Sequence, residues 1–205
     1  MRNRLVRLLV PAIAVGSLVL GITAHAAPAT WTVAGTGGKL DGKAGLTTLT
    51  NTRNNTKLTC QSSAVNGTTQ DGSGQSGDGL AKINNTTWTS CSGPLGITFN
   101  VVHKGVWLVN AKSYDGTAIT EGTITEATAA ITGPNCSGDV AGSAAGTYNN
   151  STAKLTIDPA LNAKYSTKIL LSNVKGCFGL LASGDEVTFS GVYDITPNTA
   201  KLTSP

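Results

Sequence analysis

Cys60, Cys91, Cys136 and Cys177 are the side chains of this sequence with the most specific chemistry to offer. Thiols at these positions either bind a metal or pair with one another. A structural zinc site draws its ligands from close pairs such as Cys-x-x-Cys, and no two of these cysteines are close in the chain. Disulfides are the better reading, with three pairings open to four cysteines. The phrase "CSGPLGITF" at 91–99 has a counterpart in "CFGLLASGDEVTF" at 177–189. Both open Cys-x-Gly-x-Leu and both end on Thr-Phe. A duplicated unit, with half-units at 46–115 and 122–197, would place one bridge in each half and favours Cys60 with Cys91 and Cys136 with Cys177. In each half the bridge would tie the start of one strand to the start of another. Chance similarity in a chain rich in Gly and Thr is the equal alternative. Closing a loop of about 30 residues disfavours the unfolded chain by roughly 3.5 to 4 kcal/mol on a chain-entropy model.

Catalytic chemistry finds few residues. Beyond His25 the sequence has one histidine, His103. His103-Lys104-Gly105 separates two apolar runs and reads as an exposed hairpin turn, whereas a Ser-His-Asp arrangement needs a base held against a nucleophile. Asp185 and Glu186 are adjacent, and Glu121 and Glu126 are an odd number of positions apart. On regular strands each pair points to opposite faces instead of flanking a glycosidic bond, so solvated surface carboxylates are expected. Asp71 and Asp78 lie in "DGSGQSGDG", which lacks the dense oxygen ligands of a calcium loop. No catalytic residue, metal ligand or cofactor is assigned, although an unrecognised hydrolase stays as a minor alternative. Sequons at Asn54, Asn66 and Asn85 would matter only in a eukaryotic secretory route. A Lys–Asn isopeptide crosslink would need three groups that the sequence does not place together.

Trp88 and Trp107 are the candidates for binding. Aromatic rings on strands stack on sugars or line apolar pockets. With aromatic residues at only 5% of the chain, these two and Trp31 also read as packing anchors.

The elements that position these residues are strands. Val187, Phe189, Tyr193 and Ile195 share one face of a strand over 187–195, and Leu58, Cys60 and Ser62 alternate in the same way. Asn149, Asn150 and Ser151 turn a hairpin within 144–157, and the glycine-rich stretch 66–79 reads as a flexible loop. Asp158 before Pro159 caps at most one helical turn. The 30 threonines and 25 glycines favour strands and turns. The expected fold is all-β: an antiparallel β-sandwich or barrel of about 10–12 short strands in a single domain over 27–205.

Residues 1–26 read as a secretory signal peptide: Arg2, Arg4 and Arg7, an apolar run from Leu8 to Ile22, then Ala24-His25-Ala26. The leader carries the apparent basicity, since the chain has 15 Lys and Arg against 11 Asp and Glu and three of those arginines lie in it. The remaining lysines are scattered singly, which speaks against a nucleic-acid partner. After signal cleavage no apolar run is long enough for a membrane span.

The leader, "CSGPLG" at 91–96, "WLVNA" at 107–111, "GTITEATAAITGPNCSGDVAG" at 122–142 and "GDEVTFSGVYDITP" at 184–197 together resemble a group of small actinobacterial secreted proteins without an assigned activity. The resemblance implies an extracellular all-β fold with two disulfides and carries over no site residues. Val106 departs from it, where proline would be expected. The sequence thus reads as a secreted, monomeric, non-catalytic protein that binds a small apolar molecule or glycan near Trp88 and Trp107. The rival is a structural or interaction protein of the cell envelope, working through edge strands and a Thr/Asn-rich surface.

Overall fold

The computed structural model describes residues 30–205, so the expected signal peptide lies outside the described residues. Fourteen strand segments are present. In chain order they are β1 (Trp31–Ala34), β2 (Lys39–Ala44), β3 (Thr47–Asn51), β4 (Lys57–Thr69), β5 (Gly72–Gln75), β6 (Ala81–Ser92) and β7 (Thr98–Lys104). They continue as β8 (Trp107–Tyr114), β9 (Ile119–Gly133), β10 (Cys136–Asn149), β11 (Lys154–Ile157), β12 (Ile169–Gly176), β13 (Glu186–Thr196) and β14 (Lys201–Thr203).

The pairings close into a ring. β2 and β3 are two parts of one path, both antiparallel to β4 on one side and β13 on the other. β4 pairs with β6, and β6 with β7 and β8. Both of these pair with β9, which pairs with β10. β10 pairs with β11 and β12, and these return to β13. Eight strand positions therefore follow one another around a closed antiparallel up-and-down barrel. Closure satisfies every long edge within the ring, the usual solution to exposed strand edges.

Side-chain alternation explains why the ring closes around these residues. On β4, Leu58, Cys60, Ser63 and Val65 are buried, while Lys57, Gln61, Asn66 and Thr68 are exposed. On β13, Val187, Tyr193 and Ile195 are buried against exposed Asp194 and Thr196, as the alternation of that strand predicts. The inward phase of β4 shifts by one residue after Cys60, so Ser63 and not Ser62 faces inward. Its hydroxyl lies 3.0 Å from that of Tyr193, and burial pushes the Tyr193 phenol up to about 12. Ser63→Ala orphans that buried hydroxyl and is expected to cost about 1–2 kcal/mol. A fall in the urea midpoint, partly recovered when Tyr193→Phe is added, would show it.

One end of the barrel carries a small antiparallel sheet, β14-β1-β5. Trp31, Val33, Leu80 and Ala111 form its own buried cluster, with Tyr114 and Leu202 packed against them. Asn150 fastens β14 to the barrel, donating to the Leu202 carbonyl at 2.8 Å and accepting from the Leu202 N–H at 2.7 Å. Part of the stretch expected to be a flexible loop, 66–79, is thereby strand: its first residues finish β4, and β5 pairs with Trp31 and Val33.

The expected hairpin at 103–105 is likewise corrected. β7 and β8 run in one direction between β6 and β9, and the register slips by one residue where they meet. Gly105 (φ 70°) therefore makes a bulge and not a reversal. The hairpin expected around Asn149–Ser151 is present, its turn spanning 150–153, and so is the Asp158 cap, with Asp158 accepting from the Ala160 N–H at 2.9 Å. That cap opens a helical excursion between β11 and β12, a 3-10 turn at Pro159–Leu161 running on into α1 at Asn162–Tyr165, longer than the single turn expected.

Candidate functional site

The expected disulfide pairs are both present. Cys60 and Cys91 face each other across β4 and β6, and Cys136 at the head of β10 joins Cys177 just past β12. In each bridge the second cysteine lies at the end of its strand, not at the start of one as the sequence suggested. The bridges join the second and third barrel positions and the sixth and seventh, four positions apart around a ring of eight. Both lie toward the barrel end opposite the small sheet. The two Cys-x-Gly-x-Leu phrases form tight turns there, but not equivalent ones: Leu95 is 98% exposed, whereas its counterpart Leu181 is buried.

Inside the ring lies a cavity of about 110 Å³. It reaches from Leu58, Phe99 and the Cys60–Cys91 bridge past Ile131 to Trp88 and Trp107, which both line it. The structure brings the two candidate tryptophans together, with ring centroids 6.2 Å apart and planes tilted by 40°. β6 delivers Trp88 from mid-strand. The Gly105 bulge turns Trp107 inward, and its indole N–H donates to the carbonyls of Lys104 and Thr128 at 3.0 and 3.2 Å. Trp31 belongs to the end sheet and packs there.

The lining is almost wholly aliphatic and aromatic, with three polar exceptions, of which Thr128 donates its hydroxyl to the Lys104 carbonyl at 2.6 Å. Tyr193 engages Ser63. Thr47, fully buried in the wall, has a hydroxyl with no hydrogen-bond partner in the structure. A buried hydroxyl left unpaired is costly, and Thr47 shares this condition with the Thr86 hydroxyl and His103 Nδ1.

His103 is not an exposed turn residue. It is half-buried on β7, its ring stacked on Trp107 at 4.5 Å and its Nε2 2.9 Å from the Gly105 carbonyl. Sequence reasoning missed it as a neighbour of the cavity because the bulge reads locally like a turn.

Asp185 is also corrected, since it is 8% exposed and not a solvated carboxylate. Arg53 clamps it through Nε at 2.6 Å and Nη2 at 2.9 Å, Asn51 donates to it at 2.6 Å, and the Ala182 N–H at 2.9 Å. The Arg53 guanidinium, with the Asn51 amide and the Ala182 N–H, holds this carboxyl well below the usual carboxylate range. The cluster stitches the 51–54 turn to the 177–185 loop and stands away from the cavity. Glu121 is half-buried instead of freely solvated: Lys164, Tyr165 and Ser113 donate to it, and the Lys164 ammonium lowers its pKa most. Glu186 lies 3.5 Å from Lys168. Asp71 accepts from the Thr36 hydroxyl and from the Thr36 and Gly37 N–H groups, bracing the turn before β2. Among the described residues no three His, Cys, Asp or Glu side chains gather as a metal site would require. No helix among them is long and apolar enough to cross a membrane. Comparison of the chain with protein-family models, with curated proteins and with solved structures found no match.

Proposed function

We propose that the protein is an extracellular, non-catalytic binder of a small apolar molecule, held inside the barrel against Trp88 and Trp107. The observation that carries this reading is the apolar cavity with its paired tryptophans. At about 110 Å³ the space approaches the ~150 Å³ of an engineered dry cavity that takes up benzene. A single ring or a short branched chain is the class that fits. A glycan fits less well, because its hydroxyls would meet hydrocarbon walls and lose their hydrogen bonds to water. Two disulfides suit an oxidising, extracellular setting. The envelope alternative through edge strands has less support, because the long strands form a ring without free edges.

The test uses benzene, toluene and phenol as probes and intrinsic fluorescence as readout, with native mass spectrometry of protein from its host to find a retained molecule. Trp88 and Trp107 are expected to respond on saturation. Ala144→Leu places bulk in the cavity wall, and it is expected to abolish uptake while leaving Tm unchanged or raised. Undiminished uptake by Ala144→Leu, or no uptake by the parent, overturns the reading.

A further inference from the structure

We infer that the disulfide-bearing end of the barrel docks on an anionic lipid surface, with Leu95 and Phe178 as the side chains that enter it. These two have the highest exposure of the large apolar residues described, at 98% and 70%. Each sits in a turn after a bridged cysteine, Phe178 directly after Cys177 and Leu95 four positions after Cys91, and each holds a left-handed backbone, φ 58° for Leu95 and 52° for Phe178. That conformation is unfavourable for a residue with a Cβ. Two loops more than eighty residues apart in sequence thus keep strained turns whose effect is to push a hydrocarbon side chain into water.

The loops meet. Pro94, Ile97, Phe178 and Leu180 border one crevice at this end, and Leu95 lies in the turn between the first two, so the two loops form a single apolar crown. Its charge is one-sided. Lys57 heads β4 and Lys175 lies one residue from the end of β12, both exposed at the same rim and neither in an ion pair among the described residues. The acids there are already engaged, Asp139 by Lys104, Asp185 by Arg53 and Glu186 by Lys168. Protruding apolar tips flanked by free cations complement an anionic headgroup layer over hydrocarbon. Each cation near such a surface adds attraction that salt screens, and the tips add apolar burial at the interface. A folded protein partner would instead be met by a broad groove or flat patch, whereas here two side chains protrude singly, at 98% and 70% exposure.

Every pairing of the barrel lies within residues 31–203, so protein beginning at Ala27 retains the fold and removes the apolar leader from the measurement. Sedimentation with vesicles of phosphatidylcholine containing phosphatidylglycerol is expected to bind this oxidised protein at least tenfold more tightly than neutral phosphatidylcholine vesicles. Leu95→Asn with Phe178→Asn is expected to lose at least tenfold on the anionic vesicles. Lys57→Gln with Lys175→Gln is expected to flatten the salt dependence. All of these positions are exposed, and an unchanged Tm certifies that the variants are folded. Equal binding by the parent and the tip variant, or no preference for anionic vesicles, overturns the inference. So does self-association that depends on the tips without vesicle binding, which would assign the crown to a second copy of the chain.

Discussion

Asp185→Ala is expected to lower the unfolding free energy by about 3 kcal/mol at pH 7. The variant removes a carboxylate that is 8% exposed and accepts from Arg53, Asn51 and the Ala182 N–H. Buried donors left without an acceptor cost about 1–3 kcal/mol each, and half-broken buried ion pairs fall in the same range or above. The exposed Arg53 side chain recovers water, which keeps the figure from rising further. Asp185→Asn, which preserves shape and one acceptor oxygen, is expected to lose less.

The pH dependence supplies a second reading of the same site. The folded-state pKa of Asp185 is depressed below its unfolded value of about 3.9. Its contribution is therefore fully present above that value, and is lost as pH falls from about 5 toward the depressed pKa, because the unfolded chain takes up the proton first. Other lowered carboxyls, such as Asp115 and Glu121, give parent and variant a common acid slope. The gap between the two urea-derived stabilities should narrow as pH drops from 7 to 3. A gap that stays constant, or a loss below about 1 kcal/mol at pH 7, would show that the clamp is not the pin described.

Removal of either disulfide is expected to cost roughly 3.5 to 4 kcal/mol, from loops closed over sequence separations of 31 and 41 residues. Losing both amounts to about 7 kcal/mol, comparable with the whole stability of many domains. The reduced protein is therefore expected to be largely unfolded at moderate temperature. Single-bridge variants, Cys60→Ser with Cys91→Ser and Cys136→Ser with Cys177→Ser, separate the contributions. Only the first bridge borders the cavity, so only its loss should also weaken apolar uptake in protein that is still folded. Equal urea midpoints for oxidised and reduced protein would contradict the chain-entropy account.

The disulfide pairing, the alternating strand at 187–195 and the turn after Asn149 were legible in the sequence because each rests on a local pattern or a short repeat. Closure was not, since it depends on β13 meeting β2 and β3 across most of the chain. Gly105 was misread for a physical reason: a glycine with positive φ serves a reversal or a bulge equally well, and only the flanking β6 and β9 decide between them. Asp185 looked solvated because its partner Arg53 lies 132 positions away. The tryptophan pair shows the middle case. Residue type marked Trp88 and Trp107 as worth attention, but their proximity depends on a bulge and on a register that no local pattern reveals.

The neighbour-to-neighbour path of the strands, with β1 lying beside β14 and the Ser204 hydroxyl donating to the Thr30 carbonyl at 2.9 Å, makes the barrel a loop of chain with an almost arbitrary starting point. A short peptide joining residue 205 to residue 30 would let the polypeptide be cut open between hairpin partners elsewhere, as within 150–153, without parting any strand from its neighbours. Such a rearranged molecule places its new ends far from the lysine-flanked tips, where a reporter or tether can be attached without obstructing them.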